Sequence, residues 1–180
     1  PKKVIAHSKE FINAHLDNEI LSVGKHFPGQ GNAIGDTHKR FVDVSKTWKS
    51  DELLPYKELI NNNSLNAIMI SHIFHSELDK KYPATLSKLI IRDLLRSEMG
   101  FDGIVISDDP QMKAISEKYD LETVLELMIN AGVDIFCFGN NLIYDPNIVK
   151  KVHLAIKKLL VKNKISENDI KQSYLRIIKI

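Results

Sequence analysis

Two short polar motifs in the sequence carry residue types that could perform acid–base and nucleophilic chemistry. In the first motif, Asp36 and His38 stand two residues apart at the end of a loop rich in glycine and proline, residues 27–35. Residues i and i+2 of an extended segment point the same way, and a carboxylate beside an imidazole can orient the ring and stabilise its charged form. The pair therefore suits general acid–base work, although Gly35, Asp36 and Thr37 would also make an ordinary turn.

The second motif is SDDPQM at residues 107–112, directly after an apolar run. A carboxylate at the end of a strand could serve as a nucleophile, which makes Asp108 the strongest single candidate in the chain. The alternative is that Asp108 and Asp109 only cap the turn that follows. Spacing alone slightly favours this second interpretation.

Helices and short apolar runs alternate along the chain and must position these motifs. Helical periodicity and capping residues predict helices at residues 4–20, 51–60, 88–99, 120–131, 146–162 and 166–180. Apolar runs predict strands at residues 21–26, 65–70, 103–106 and 133–138. We expect Ser50, Ser87 and Asp120 to cap the helices that follow them. Short apolar strands that alternate with helices are typical of an α/β fold with a parallel sheet and right-handed crossovers.

Each predicted strand ends in polar residues, in chain order Lys25 and His26, His72, Asp108, and Asn140. Active sites of (β/α)8 barrels lie at the carboxyl ends of the strands, so this pattern favours a barrel of TIM type. A full barrel needs about eight strands, however, and only four are predicted here. No glycine-rich phosphate fingerprint follows a strand, which argues against a dinucleotide-binding fold.

The composition of the chain limits which kind of protein it can be and which partners it can have. The 180 residues suit one domain segment, residues 1–180, and 43% of them are hydrophobic, as in a soluble globular protein. A net charge of +2 is too small to indicate nucleic acid as a partner. The single cysteine, Cys137, excludes an internal disulfide, and no apolar run approaches the roughly 20 residues of a membrane span. We expect a cytoplasmic protein, with a periplasmic or secreted location as the alternative, because the chain starts at Pro1 and not at a methionine.

The first motif, KHFPGQGNAIGDTH at residues 25–38, resembles the signature of the glycoside hydrolase family 3 β-N-acetylhexosaminidases. The SDDPQM motif is similar to the family's nucleophile segment. The segments at residues 51–55, 83–87 and 100–103 also resemble the family. The resemblance implies a (β/α)8 TIM-barrel fold of which this chain holds the fifth to eighth strands, β5–β8. It also implies that a missing N-terminal half-barrel, or self-association, completes the barrel, so that the chain alone could be inactive.

The resemblance assigns catalytic roles to three residues. Asp108 would attack the anomeric carbon and form a covalent glycosyl-enzyme, as retaining glycosidases do. His38 would be the acid/base, and Asp36 would hold its tautomer. Most glycosidases use two carboxylates. The resemblance implies that a histidine on a mobile loop takes the place of one of them in this family.

Substrate-binding roles are implied for four further residues. Lys25 and His26 would donate hydrogen bonds to sugar hydroxyls. His72 would line the site, unless it is a hydrogen-bonded structural residue. Met112 would pack against the sugar or beneath the nucleophile loop, with ordinary core packing as the alternative. Gln30 stands where many relatives have histidine, which leaves the substrate preference open.

The sequence therefore predicts a retaining glycosidase that removes terminal β-linked N-acetylglucosamine, with peptidoglycan-derived muropeptides as the implied substrate and no metal or organic cofactor. Transfer of the sugar to phosphate on the same site is one alternative. A non-catalytic carbohydrate-binding half-barrel is a second. A distant third is a metal hydrolase whose ligands would be Asp36, His38, His72 and Asp108.

Overall fold

A computed structural model describes residues 1–141 and 143–179 of the chain. The strands are β1 (Val23–Phe27), β2 (Ala67–Ile70) and β3 (Ile104–Ser107). The helices are α1 (Lys2–Leu16), α2 (Leu54–Asn61), α3 (Leu89–Glu98, with the wider π-type hydrogen bonding), α4 (Lys113–Ser116), α5 (Leu121–Ala131), α6 (Ile148–Val161) and α7 (Glu167–Ile178). Short 3-10 turns lie at Ser50–Leu53 and Ala84–Leu86. Leu142 and Ile180, which fall inside the predicted domain segment, lie outside the described residues.

The three strands form one parallel sheet in the order β1-β2-β3. The register of β2 on β3 is regular from Ala67 opposite Ile104 to Ile70 opposite Ser107, whereas that of β1 on β2 shifts between Gly24 and Phe27. The predictions of an α/β fold, a parallel sheet and the first three strands are confirmed. Within the described residues, the outer edge of β1 pairs with no further strand.

The predicted fourth strand is wrong as a regular strand, because residues 133–138 contribute only a single bridge, Ile135 opposite Ile106. The segment still follows β3, since the Ser107 amide donates to the carbonyl of Ile135 at 2.9 Å. The Val105 carbonyl also accepts from the amides of Asp134 and Ile135, at 2.8 and 3.1 Å, and side chains take other positions of the ladder. The Asp134 carboxylate accepts from the Val105 amide at 2.8 Å, and the Ser107 hydroxyl accepts from the Cys137 amide at 3.1 Å.

The ends of several helices confirm the capping and terminating residues that the sequence predicts. Ser87 Oγ accepts from the Ile90 amide at 3.1 Å, and Asp120 accepts from the Thr123 amide at 3.0 Å. Gly132 ends α5 with a φ of 100°, a left-handed conformation that glycine adopts without a steric penalty.

Two helix starts differ from the prediction. Ser50 makes no side-chain cap, because residues 50–53 form a 3-10 turn and α2 begins only at Leu54. The helix expected from Pro146 begins at Ile148, because the Asp145 carboxylate accepts from the Asn147 amide at 2.9 Å and holds a turn there.

The core lies between the sheet and the helices that cover it. Ile68, Ile70 and Val105 of the sheet are fully buried, and so are Leu95 of α3 and Leu125 of α5. Each such side chain contributes about 1.5–3 kcal/mol when it is buried on folding. The sheet is therefore the rigid element from which the polar strand ends project.

A buried ion cluster fastens α7 to the sheet. The Asp134 side chain has no exposed surface and binds Arg96 Nη2 of α3 at 2.8 Å through Oδ2. Its Oδ1 accepts from Nη2 and Nε of Arg176 in α7, at 2.7 and 3.0 Å. This cluster lies at the amino ends of the strands, opposite the candidate site.

Among the helices of the described residues, none combines the length and the apolar character that crossing a bilayer requires.

Candidate active site

His26 and Asp108 face each other at the carboxyl ends of β1 and β3, with 3.9 Å between His26 Nε2 and Asp108 Oδ2. The side chains are 30% and 19% exposed, so a ligand can reach both. Burial lowers the pKa of His26; the Asp108 carboxylate opposes this shift, and Lys25 and His38 add to it. Asp108 Oδ1 accepts from the Asp109 amide at 2.9 Å, while Oδ2 accepts no hydrogen bond from residues 1–141 and 143–179.

Asp36 and His38 form the expected pair. Oδ1 of Asp36 binds the His38 ring at Nδ1, at 2.8 Å, and accepts from the His38 amide at 2.9 Å. These two bonds, the backbone one first, lower the pKa of Asp36. Because a carboxylate only accepts hydrogen bonds, Nδ1 carries a proton and Nε2 is the ring nitrogen that can face a ligand. The ring is 62% exposed.

The loop that carries the dyad rests on α4, the helix that follows Asp108. Thr37 is buried, and its carbonyl accepts from the Ala114 amide at 3.3 Å. Lys118 Nζ lies 3.3 Å from the centre of the Phe41 ring, which is a cation–π contact. The acid/base candidate and the nucleophile candidate thus share one support.

Glu52, which the sequence reasoning did not single out, holds the glycine loop after β1. Its two carboxylate oxygens accept from the Gly31 amide and the Asn32 side-chain amide, each at 2.9 Å. Gly29 has a φ of 124°, and a Cβ there would lie 2.5 Å from the Cβ of Glu52. Glu52 lies within residues 51–55, one of the segments between the two motifs that resemble the family, and this resemblance is the sequence feature that could have indicated its role.

A cavity of ≈ 430 Å³ runs beside β1 and this loop, and its lining includes Lys25, His26 and Gln30. Lys25 is exposed. The Ser71 hydroxyl, at the end of β2, donates to Gln30 Oε1 at 2.8 Å. This bond leaves the Gln30 amide nitrogen as a donor on the side of the cavity.

His72 is fully buried, and both ring nitrogens bond inside the protein. Nδ1 is 2.7 Å from Thr85 Oγ1, and Nε2 is 2.9 Å from the backbone carbonyl of Asp109. Burial lowers its pKa, against the nearby Asp108 charge. The predicted sugar contact of His72 is not supported, because no ring nitrogen is available to a ligand. A metal-ligand role fails for the same reason, and the described residues contain no group of three metal-ligating side chains.

The loops that follow β3 and residues 133–138 are held in place by Asp109, Met112 and Asn140. The Asp109 carboxylate accepts from the Gln111 amide at 2.9 Å and the Gly139 amide at 3.1 Å, so the capping interpretation holds for Asp109. Met112 is 1% exposed and packs as a core residue, and its contact with a sugar stays a prediction. Asn140 Oδ1 accepts from the Asp145 amide at 2.8 Å and fixes its own loop.

The fold and the site define an α/β protein whose candidate chemistry lies at the carboxyl edge of a parallel sheet. The chain belongs to glycosyl hydrolase family 3, because the model of that family's N-terminal domain matches residues 1–180. It is 33% identical over 144 residues to the β-hexosaminidase of Tolumonas auensis, an alignment that covers 78% of this chain and 43% of that protein.

Solved structures support the same assignment. The β-N-acetylglucosaminidase from Thermotoga maritima superposes with a TM-score of 0.86 at 31% identity, over 99% of this chain and 38% of that one. CbsA from Thermotoga neapolitana gives a TM-score of 0.90 at 28% identity, over 99% of this chain and 39% of that one. The chain therefore spans about two-fifths of the length of the relatives that it matches.

Proposed function

We propose that this chain supplies the nucleophile and the acid/base of a retaining glycosidase that removes terminal β-linked N-acetylglucosamine. The observation that carries the proposal is the state of the Asp108 carboxylate. One of its oxygens is held by the Asp109 amide, and the other lies 3.9 Å from His26 Nε2 on a side chain that is 19% exposed. A carboxylate of this kind is accessible and oriented, as nucleophilic attack requires.

In the proposed reaction, an Asp108 oxygen bonds to the anomeric carbon as the glycosidic C–O bond breaks. The His38 imidazolium gives its Nε2 proton to the departing oxygen, while Asp36 keeps Nδ1 protonated and fixes the ring. His38 then takes a proton from water, whose oxygen attacks the anomeric carbon. The C–O bond to Asp108 breaks and the carboxylate is regenerated. Lys25 and His26 donate to sugar hydroxyls.

The proposed setting is the second half, the fifth to eighth strands, of a (β/α)8 barrel that forms a single domain segment. The unpaired outer edge of β1 and the irregular segment at residues 133–139 support this setting, because both ends of the sheet lack a neighbour among the described residues. A complementary half-barrel or a second copy of the chain would complete the site. We propose peptidoglycan-derived muropeptides as substrate and the cytoplasm as location.

Transfer to phosphate is a second candidate, favoured by the charges around the dyad. Lys39 Nζ lies 3.8 Å from Asp36 Oδ2, and Arg40 follows it in the chain. After proton donation, the His38 imidazole is neutral and would repel an incoming phosphate less than a carboxylate would. Product analysis with and without inorganic phosphate separates the two reactions, because only the phosphorylase forms a sugar 1-phosphate.

The test is to trap the intermediate on the protein purified from its own source, together with whatever segments or partners accompany the chain. An activated 5-fluoro analogue of N-acetylglucosamine should add one sugar, and peptide mapping should place it on Asp108. The Asp108→Ala variant should add none, whereas Asp102→Asn, a change in an exposed carboxylate far from the site, should add one. Absence of an adduct on the natural protein would reject the glycosidase and favour the carbohydrate-binding half-barrel.

A further inference from the structure

We propose that His72 is a positioning residue that sets the orientation of the Asp108 carboxylate through the backbone of Asp109, whose carbonyl and amide lie on either side of its α-carbon. This inference rests on the proposed nucleophilic role of Asp108. It replaces the sugar contact predicted for His72 from the sequence.

The hydrogen bonds of His72 fix its tautomer. A carbonyl oxygen can only accept, so the 2.9 Å contact with the Asp109 carbonyl requires a proton on Nε2. On the other side, Nδ1 meets the hydroxyl of Thr85, which also lies 2.5 Å from the Ser71 carbonyl. Burial favours the neutral ring, so the single hydroxyl proton of Thr85 lies between two acceptors, the Ser71 carbonyl and Nδ1. The imidazole is thus held from both sides, with its donor aimed at one backbone oxygen.

Asp109 transmits this restraint to the nucleophile. The residue whose carbonyl His72 holds presents its own amide to Asp108 Oδ1 at 2.9 Å. The Asp109 carboxylate is tied at the same time to the amides of Gln111 and Gly139. These bonds hold Asp109 from the end of β2, from its own loop and from residues 133–139. The Asp109 amide is therefore a fixed donor, and it leaves Oδ2 of Asp108 as the attacking oxygen.

Without the His72 bond, the Asp109 carbonyl would keep one donor, the Met112 amide at 3.0 Å, and the peptide unit between Asp109 and Pro110 could shift. The Asp109 amide, which orients Asp108 Oδ1, belongs to the preceding peptide unit and would be displaced through the α-carbon that joins the two units. Displacements of about 1 Å at a reacting group can lower rates by roughly 100-fold. The expected loss is therefore in the chemical step and not in sugar binding, which involves Lys25 and His26.

Two amide variants separate positioning from general support of the fold. In His72→Gln, the side-chain amide nitrogen reaches approximately the place of Nε2, so the bond to the Asp109 carbonyl is retained. In His72→Asn, the shorter amide reaches the place of Nδ1, so the contact with Thr85 is retained and the bond to Asp109 is lost. Both variants remove the ring and its packing, so each controls for the other.

The experiment measures the rate of adduct formation by the 5-fluoro sugar, together with KM and Tm, on the protein purified with its natural accompanying segments. We expect His72→Gln to restore trapping to within about threefold of the natural rate and His72→Asn to be at least ~10-fold slower with KM unchanged. Equal rates in the two variants, or rates that follow Tm, would overturn the inference and leave the proposed function intact. If the natural protein gave no adduct, the proposed function and this inference would fall together.

Discussion

Replacement of Asp134 by asparagine tests whether the buried ion cluster holds the fold together at the end opposite the site. The substitution keeps the size of the side chain but removes its charge. Two guanidinium groups, those of Arg96 and Arg176, would then lack their shared counter-ion. The new amide would also place a donor against another donor, either Val105 N–H or an arginine.

The magnitude follows from the burial of the pair. The Asp134 side chain has no exposed surface, and the side chains of Arg96 and Arg176 are 16% and 18% exposed. Removal of one partner from a buried pair costs about 3–5 kcal/mol. For a protein of this size, 1 kcal/mol corresponds to roughly 2–4 °C in Tm, so the expected fall is about 6–20 °C.

The matched control is Asp102→Asn. Asp102 pairs with Lys179, the residue that follows α7, at 3.1 Å, but the two side chains are 77% and 72% exposed. Such a pair contributes at most about 1 kcal/mol. Calorimetric Tm values of both variants check the prediction. If Asp134→Asn shifted Tm no more than Asp102→Asn, the buried cluster would contribute no more to stability than an exposed ion pair.

Three further predictions concern the site and its loop. Asp36→Asn should lower kcat/KM by about 10²–10⁴-fold, because the amide no longer fixes the acid/base tautomer, and a circular dichroism spectrum identical to the natural one should accompany the loss. Gly29→Ala should lower the free energy of unfolding in urea by about 1–3 kcal/mol, because the φ of Gly29 is 124° and the new Cβ meets Glu52. In the control, Gly31→Ala, the nearest contact of the new Cβ is 3.7 Å, so the loss should be smaller. Equal losses would contradict this explanation. Stability should fall as pH drops below 6.5, because burial lowers the pKa of His72, so the unfolded chain takes up a proton that the folded chain does not. The slope approaches about 1.4 kcal/mol per pH unit, and it should flatten in His72→Gln.

Most of the scaffold could be predicted from the sequence because its signals are local. The apolar runs that became β2 and β3 lie between strong turn and cap residues, and Asp120 and Gly132 mark the two ends of α5. Residues 133–138 carry the same apolar signal as the other strands. Their pairing with β3 is incomplete because the side chain of Asp134 occupies one position in the backbone ladder, and composition does not reveal such competition.

The site was predictable where two residues of a motif contact each other directly, as Asp36 and His38 do. It was not predictable where partners lie far apart in sequence. Glu52 reaches back to the amide of Gly31, and His72 reaches forward to the carbonyl of Asp109. Each contact depends on how loops from different strands meet. The sequence therefore left two interpretations of His72 open, a residue that lines the site or a hydrogen-bonded structural residue, and its buried ring supports the second.

The order of the strands in the sheet, β1-β2-β3, is also the order in which the ribosome makes them. Each newly made strand therefore finds its neighbour already in place, and pairing closes a loop of only one crossover. Each crossover still spans more than 30 residues, from Phe27 to Ala67 and from Ile70 to Ile104, so parallel pairing remains a slow step of folding. During translation the sheet of the described residues can therefore grow by one strand at a time.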